Sequence, residues 1–372
     1  MVISAAKLLK TPYSLLLFIY FYLLLPTFTS LYLLLSTFIS LISFFIIFAE
    51  EMNVRTNSIK AWVLAARPKT LSAALIPVMV AAALASHAPQ CSWGALVVCA
   101  LFASLMQIAA NLINDLLDYR KGTDGADRLG PERACAQGWI TPRAMRWGIT
   151  VVLALALACG SLILWLGQWS IFNGQWSMVN GQWIMIALGL ACVLFAFLYT
   201  SWLSYAGLGD LLVLVFFGLV PCCGTYLAAT GTLCADAWLA GLTCGVLIDT
   251  LLIINNYRDR DTDRLSGKRT LIATLGEPFG RWFYLSCGIV AWLLTIFLEL
   301  GIRNEELGIN HQSSIFNFQF SIFTLPYLIL HFLTWRQMVR IRQGRELNHI
   351  LGLTSRNMLV FGVLLTIALA TK

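Results

Sequence analysis

Two polar clusters interrupt an otherwise apolar chain. The first holds Asn111, Asn114, Asp115, Asp118, Arg120, Lys121 and Asp124; the second holds Asn255, Asn256, Arg258, Asp259, Asp261, Asp263 and Arg264, then Lys268 and Arg269. On a helix, Asn111, Asp115 and Asp118 fall at i, i+4 and i+7, and Asn255, Asp259 and Asp263 at i, i+4 and i+8. Each set shares a face, with an Asn one turn inside two carboxylates. Facing carboxylates repel one another unless a cation lies between them. Magnesium fits, because it takes oxygen ligands from a few carboxylates and fills its shell with substrate phosphate oxygens. The reading is that Asp115, Asp118, Asp259 and Asp263 hold Mg²⁺ and, with Lys268, form the catalytic set. Asn111, Asn114, Arg120, Lys121, Asp124, Asn255, Asn256, Arg258, Lys268 and Arg269 surround a diphosphate. Solvated helix-end charges that pair with one another, as Asp261 with Arg264, account for any one Asp alone. The matched triplets favour a shared site.

The elements that must position these groups are membrane helices. Of 372 residues, 59% are apolar and 12% charged, against roughly 25% charged in a soluble domain. A bilayer core needs about 20 apolar residues per helix. Nine such stretches follow residue 60, near 61–87, 93–118, 145–166, 183–203, 208–229, 234–256, 281–301, 320–337 and 354–371. Unbroken runs of this kind exclude a barrel. The fold class expected is all-α, a polytopic bundle of nine transmembrane helices around a central cavity.

The net charge of +7 suggests nucleic acid only until its distribution is seen. With the flank before the first span in the cytoplasm, the loops at 119–146, 201–207, 257–280 and 337–353 face the same way. Nearly every Lys and Arg after residue 54 lies in or beside them; Arg303 and Lys372 are the exceptions. This is the positive-inside pattern, so the basic residues set topology and no nucleic-acid partner is implied. Seven of the ten cysteines, Cys99, Cys159, Cys192, Cys222, Cys223, Cys244 and Cys287, lie within spans. They read as small buried hydrophobes. The four histidines are scattered and suggest no metal site.

Three segments stand apart. Residues 1–51 are hydrophobic and low in complexity, uncharged from 11 to 49, and Met52 opens a stretch that reads as a natural cytoplasmic start. They are either a hairpin broken at Pro26 or the product of an upstream start codon, and the second reading is favoured. Residues 167–183 repeat Gly-Gln-Trp words in steps of seven, and 312–323 echo them. Both read as low-complexity insertions without a catalytic role. The domain proper is therefore 52–372.

The chain resembles the UbiA superfamily of membrane prenyltransferases. The resemblance runs from about Trp62 to Leu369. It rests on Ala66 to Leu71, on Asn114-Asp115-Leu-Leu-Asp118 through Asp124 and Arg128 to Pro131, on Gly207 to Asp210, and on Asn255 to Asp263 followed by Gly267 to Leu271. Within it, the chain is most similar to the branch that prenylates 1,4-dihydroxy-2-naphthoate in menaquinone biosynthesis. The superfamily at large has a carboxylate four residues after the second Asp of the first motif. Here position 122 is Gly and the next acid is Asp124, a spacing like that of the naphthoate branch, which leaves the metal role of Asp124 open.

The resemblance implies a bacterial cytoplasmic-membrane enzyme whose site faces the cytoplasm. Its partners would be a polyprenyl diphosphate, an aromatic acid and the lipid bilayer, and its cofactor Mg²⁺. It implies ionisation of the allylic diphosphate, attack by the naphthoate ring and loss of carbon dioxide, with Arg67 or Lys69 holding the acceptor's carboxylate. Other acceptors stay open at this stage: 4-hydroxybenzoate, haem or a chlorophyllide. So does a transporter, although its coupling acids would sit near the bilayer midplane rather than at span ends. Oligomeric state is not legible.

Overall fold

The computed structural model describes residues 54–371 apart from 123–127, 168–177, 199–205 and 308–318. Asn53 onward forms one compact unit. The hydrophobic extension 1–51 and most of the two repeat insertions lie outside the described residues.

Among the described residues the chain is all-helical. Helix α1 (Ile59–Ala66) and α2 (Leu71–Ala85) are two halves of the first span. They are followed by α3 (Trp93–Lys121), α4 (Pro142–Leu166), α5 (Met178–Leu198), α6 (Gly209–Val213) and α7 (Val220–Thr230). Then come α8 (Ala235–Leu265), the short α9 (Leu271–Leu275), α10 (Glu277–Leu307), α11 (Gln319–Ile341) and α12 (Leu347–Ala370). A π-helical segment, Leu214–Leu219, joins α6 to α7 in one span. Eight of these spans are long and apolar enough to cross a bilayer. The ninth expected stretch, 320–337, is helical as part of α11, but its polar content leaves it outside that set. Those polar groups are satisfied within the bundle: His331 Nε2 lies 3.1 Å from Tyr284 O, and Asn357 Nδ2 donates to Thr334 Oγ1 at 2.8 Å.

The core is built on α2, which is buried along nearly its whole length. Helices α3, α7, α8 and α12 all pack against it. Helices α4 and α5 turn large apolar side chains outward, among them Leu157, Trp165, Trp183 and Leu190. In a soluble protein such a surface would mark an interface; on a polytopic bundle it is the lipid face.

The loops expected on one side do gather at one end. Asn57 N donates to Trp139 O at 2.7 Å, Arg260 Nη1 to Arg342 O at 2.9 Å, and Asn348 Nδ2 to Leu129 O at 2.8 Å. The opposite end is closed by Ser92, which donates from N to Ala229 O and from Oγ to Leu166 O, both at 2.9 Å.

The π segment meets α8 through glycines. A Cβ on Gly218 would lie 2.5 Å from Gly241 O and 2.6 Å from Gly245 Cα. Backbones approach this closely only where side chains are missing, as at small-residue contacts between membrane helices. Gly218→Ala is expected to cost about 1–3 kcal/mol, the range for overpacking a tight contact. The midpoint of thermal aggregation in detergent measures it, and an unchanged midpoint would show that the contact yields.

Candidate active site

Two long helices deliver the motif residues. Helix α3 starts at Ser92, whose side chain accepts from Ala95 N, and ends at Gly122 with φ +70°. That left-handed position is cheap only for glycine. Helix α8 runs 31 residues from Ala235 to Leu265, so Asn255, Asp259 and Asp263 fall on successive turns. Beyond it Gly267, at φ +74°, reverses the chain, and Lys268 N donates back to Asp263 O at 2.9 Å. The first span breaks between α1 and α2, where Pro68 follows Arg67, and Arg67 sits at φ +53°. A residue before proline is disfavoured from the right-handed helix.

Between α2, α3, α4, α5, α8 and the π segment lies a cavity of about 480 Å³. Its walls are mostly apolar and include Phe102, Phe195, Phe216 and Phe217. The rings of Phe195 and Phe216 are 4.3 Å apart. Polar groups enter from the span break and from α3 and α8: Arg67, Thr70, Gln107, Asn111, Asn114 and Asn255. Asn111 Nδ2 donates to Ala66 O and Thr70 Oγ1, both at 2.9 Å, and Gln107 Nε2 donates to Thr70 Oγ1 at 3.2 Å. The carbonyl at Ala66 is available because the helix breaks there. Arg67 Nη2 is buried without a hydrogen-bond partner.

The two motif stretches therefore meet, since Asn114 and Asn255 line one cavity. The register on α3 differs from expectation. Cys99, Ala103, Gln107, Ala110 and Asn114 step along the cavity wall, and the next turn of that stripe carries Asp118. Asp115 lies off the stripe and is 1% exposed. Its Oδ2 accepts from Ala134 N at 2.8 Å and its Oδ1 from Cys135 N at 2.9 Å. Asp115 thus anchors the loop that follows α3, with both oxygens engaged, and does not face the cavity. Asn111 is likewise committed to the span break. The pair that parallels Asn255 and Asp259 is Asn114 and Asp118.

Each remaining carboxylate has a cation beside it. Arg133 Nη2 donates to Asp118 Oδ2 at 2.8 Å. Arg258 grips Asp259 with Nε at 2.7 Å and Nη2 at 2.6 Å. Lys268 Nζ lies 3.3 Å from both oxygens of Asp263. Asn256 is buried and borders a small void with Asp210, Lys268 and Thr270. Arg120, Lys121 and Arg269 are exposed. Lys69 is exposed outside the cavity lining, which separates it from Arg67. Asp124 lies outside the described residues.

Among the described residues, no group of three or more His, Cys, Asp or Glu is placed to hold a metal. The donor chemistry still fits magnesium. Asp118, Asp259 and Asp263 with the Asn114 and Asn255 amides offer oxygen donors, and a Mg²⁺ site leaves positions for substrate phosphate. The ion pairs show that these acids require positive charge. Sequence reasoning missed Arg133, Thr70, Gln107, Asn348 and the aromatic lining. Arg133 is 15 residues from Asp118, across a loop that no helical period relates to it.

A helical bundle with an apolar chamber, an amide-lined neck and an ionic mouth is the layout of a membrane enzyme for an anionic head group on an apolar tail. The UbiA prenyltransferase family matches residues 74–304. The chain is 33% identical over 233 residues to the 1,4-dihydroxy-2-naphthoate octaprenyltransferase of Haemophilus influenzae, covering 61% of this chain and 73% of that one. It is 34% identical over 251 residues to the protein of that name from Escherichia coli K12, covering 64% and 76%. The structure of a UbiA homolog from Archaeoglobus fulgidus bound to GPP and Mg²⁺ matches with TM-score 0.53 at 14% identity, over 84% of this chain and 100% of that one. The chain belongs to the UbiA prenyltransferase family. It is a multi-pass membrane protein with that family's fold.

Asp115→Ala leaves two buried backbone donors without an acceptor, a loss of about 1–3 kcal/mol each. The 128–141 loop should then be cut by protease at lower doses while the helical content of the bundle is retained. Unaltered cleavage would show that Asp115 does not hold the loop.

Proposed function

We propose that this chain transfers a polyprenyl group from polyprenyl diphosphate to 1,4-dihydroxy-2-naphthoate, with loss of carbon dioxide, giving a demethylmenaquinone precursor. The observation that carries the reading is that Asn114 and Asn255, each one helical turn before an acid, Asp118 and Asp259, line one apolar cavity. The names of the relatives from Haemophilus influenzae and Escherichia coli support the acceptor. Placement in the bacterial inner membrane, with the loop-rich end in the cytoplasm, is supported by those relatives and by the distribution of Lys and Arg.

In this reading Asp118, Asp259 and Asp263, with the amides of Asn114 and Asn255, hold magnesium at the mouth. A bound magnesium ion supplies positive charge that stabilises a departing diphosphate. Arg258 and Lys268 add cationic donors for the same group. The allylic C–O bond breaks and its electron pair leaves with the diphosphate. Phe102, Phe195, Phe216 and Phe217 line the chamber, and their π faces favour the allylic cation. The ring carbon bearing the carboxylate then bonds to the allylic carbon. The carbon–carboxylate bond breaks, its electron pair returns to the ring, and carbon dioxide departs. Arg67 is the acceptor-binding residue favoured here, because its Nη2 is buried at the cavity without a partner; Lys69 is not retained in that role. The prenyl tail extends along the apolar wall.

The mass of the product formed by membranes given dihydroxynaphthoate, a polyprenyl diphosphate and Mg²⁺ tests this directly. The expected mass is that of the prenylated, decarboxylated ring. A product that keeps the carboxyl, or none at all with this acceptor, would overturn the assignment. Asp259→Asn should lower turnover by at least about 100-fold, the scale set by losing one preorganised electrostatic group. Arg67→Gln should chiefly raise the KM for the acid; an unchanged KM would remove Arg67 from the acceptor site.

A further inference from the structure

The cations at the mouth are already spent on the carboxylates, and this has a consequence for what the site will bind. Arg133 occupies Asp118 at 2.8 Å, and Arg258 occupies both oxygens of Asp259. Both guanidinium groups belong to buried residues, at 5% and 4% exposure, where competition for a charge is stronger than in bulk water. The two arginines are also joined across the mouth. Arg258 Nη1 donates to Asn348 Oδ1 at 2.8 Å, and Asn348 Nδ2 donates to Leu129 O at 2.8 Å. Leu129 lies in the loop that carries Arg133, and Asp115 fastens the far end of that loop through Ala134 N and Cys135 N. A Cβ on Gly130 would lie 3.0 Å from Arg258 Nη2, so loop and guanidinium are packed together.

A bare divalent cation arriving here meets carboxylates that are already neutralised and two fixed positive charges beside them. To take Asp118 Oδ2 or either oxygen of Asp259 it must displace a buried guanidinium and leave it uncompensated, which is costly. A cation arriving with a diphosphate does not meet that barrier. The diphosphate oxygens accept the guanidinium donors released from the carboxylates, and Arg suits such planar paired acceptance. Charge is then balanced before and after loading.

We propose that Arg133 and Arg258 are internal counter-ions that make the site load metal and diphosphate together and refuse the metal alone. Arg133 thereby becomes a diphosphate-binding residue, and Asn348 a positioning residue that ties its loop to Arg258. This rests on the reading of the mouth as a metal–diphosphate site.

The test is a pair of binding titrations on the full-length protein in detergent, with Mn²⁺ as the probe followed by its electron paramagnetic resonance signal. One titration uses Mn²⁺ alone and the other Mn²⁺ with inorganic pyrophosphate. Wild-type protein should bind Mn²⁺ weakly alone and much more tightly with pyrophosphate. Arg133→Gln should shift the two in opposite directions, by about tenfold each, the scale of one charge-assisted contact. Binding of Mn²⁺ alone tightens, and binding with pyrophosphate weakens. Arg133→Lys keeps the charge and should still bind Mn²⁺ alone as weakly as wild type, with a smaller loss in the pyrophosphate titration than Arg133→Gln. Should Arg133→Gln not survive solubilisation, Arg258→Gln carries the same crossed expectation. Parallel weakening of both titrations would mean that the arginines merely hold the fold, and the inference fails. Wild-type protein that binds no Mn²⁺ even with pyrophosphate would sink the metal–diphosphate reading itself.

Discussion

Carboxylates at the end of an apolar helical bundle must be neutralised, and the arrangement around the mouth follows from that requirement. An uncompensated acid in such a place costs several kcal/mol. Asp118 meets the demand with Arg133 from the loop after α3, Asp259 with its neighbour Arg258 on α8, and Asp263 with Lys268 just beyond that helix. Asp115 meets it with two backbone N–H groups. Arg133 and Lys268 reach their partners only because the loops after α3 and α8 turn back toward the helix ends. Gly122 and Gly267, both at positive φ, make those reversals inexpensive. The charges therefore dictate loop conformation, and the loops in turn gather the site at one end of the molecule.

Beneath the mouth, polarity falls in steps. Ionic groups give way to the neutral amides of Asn114, Asn255 and Gln107, and these to a chamber walled by phenylalanine and aliphatic side chains. Neutral amides suit the boundary, because they can donate or accept without adding another charge to be balanced. The chamber has room because α2 and the α6–α7 span are rich in small residues and glycine contacts bring the π segment against α8. A substrate with an anionic head and an apolar tail experiences the same gradient in reverse.

Much of this was legible in the chain. Apolar runs located the helices, and the distribution of Lys and Arg grouped the right loops at one end. On α8, a single stripe carried Asn255, Asp259 and Asp263, so its register was plain. On α3 it was not. Asn111, Asn114, Asp115 and Asp118 fall within about 100° of one helical face. Periodicity cannot choose within that wedge; the hydrogen bonds do, committing Asn111 to the span break and Asp115 to the loop after α3, and leaving Asn114 and Asp118 on the side of the cavity. The partner of Asp118 was hidden for a different reason, since Arg133 reaches it through an irregular loop. The aromatic lining was hidden because it is assembled from α3, α5 and the π segment, which are separate stretches of the chain.

The same accounting limits how firmly Arg67 should hold the acceptor in the proposed reaction. A buried guanidinium with an unpartnered nitrogen attracts a carboxylate strongly, which orients the ring. That carboxylate must then surrender its charge as carbon dioxide forms. Any attraction present in the ground state and absent in the transition state raises the barrier by the same amount. A fully paired, bidentate arginine would therefore bind the acid well and turn it over poorly. The left-handed backbone at Arg67, at the break before Pro68, sets the guanidinium at the cavity wall, a wall shared with Asn111, whose amide is already committed to Ala66 and Thr70. An acid held there by the open nitrogen of Arg67, without a second fixed donor from Asn111, is oriented and remains free to leave.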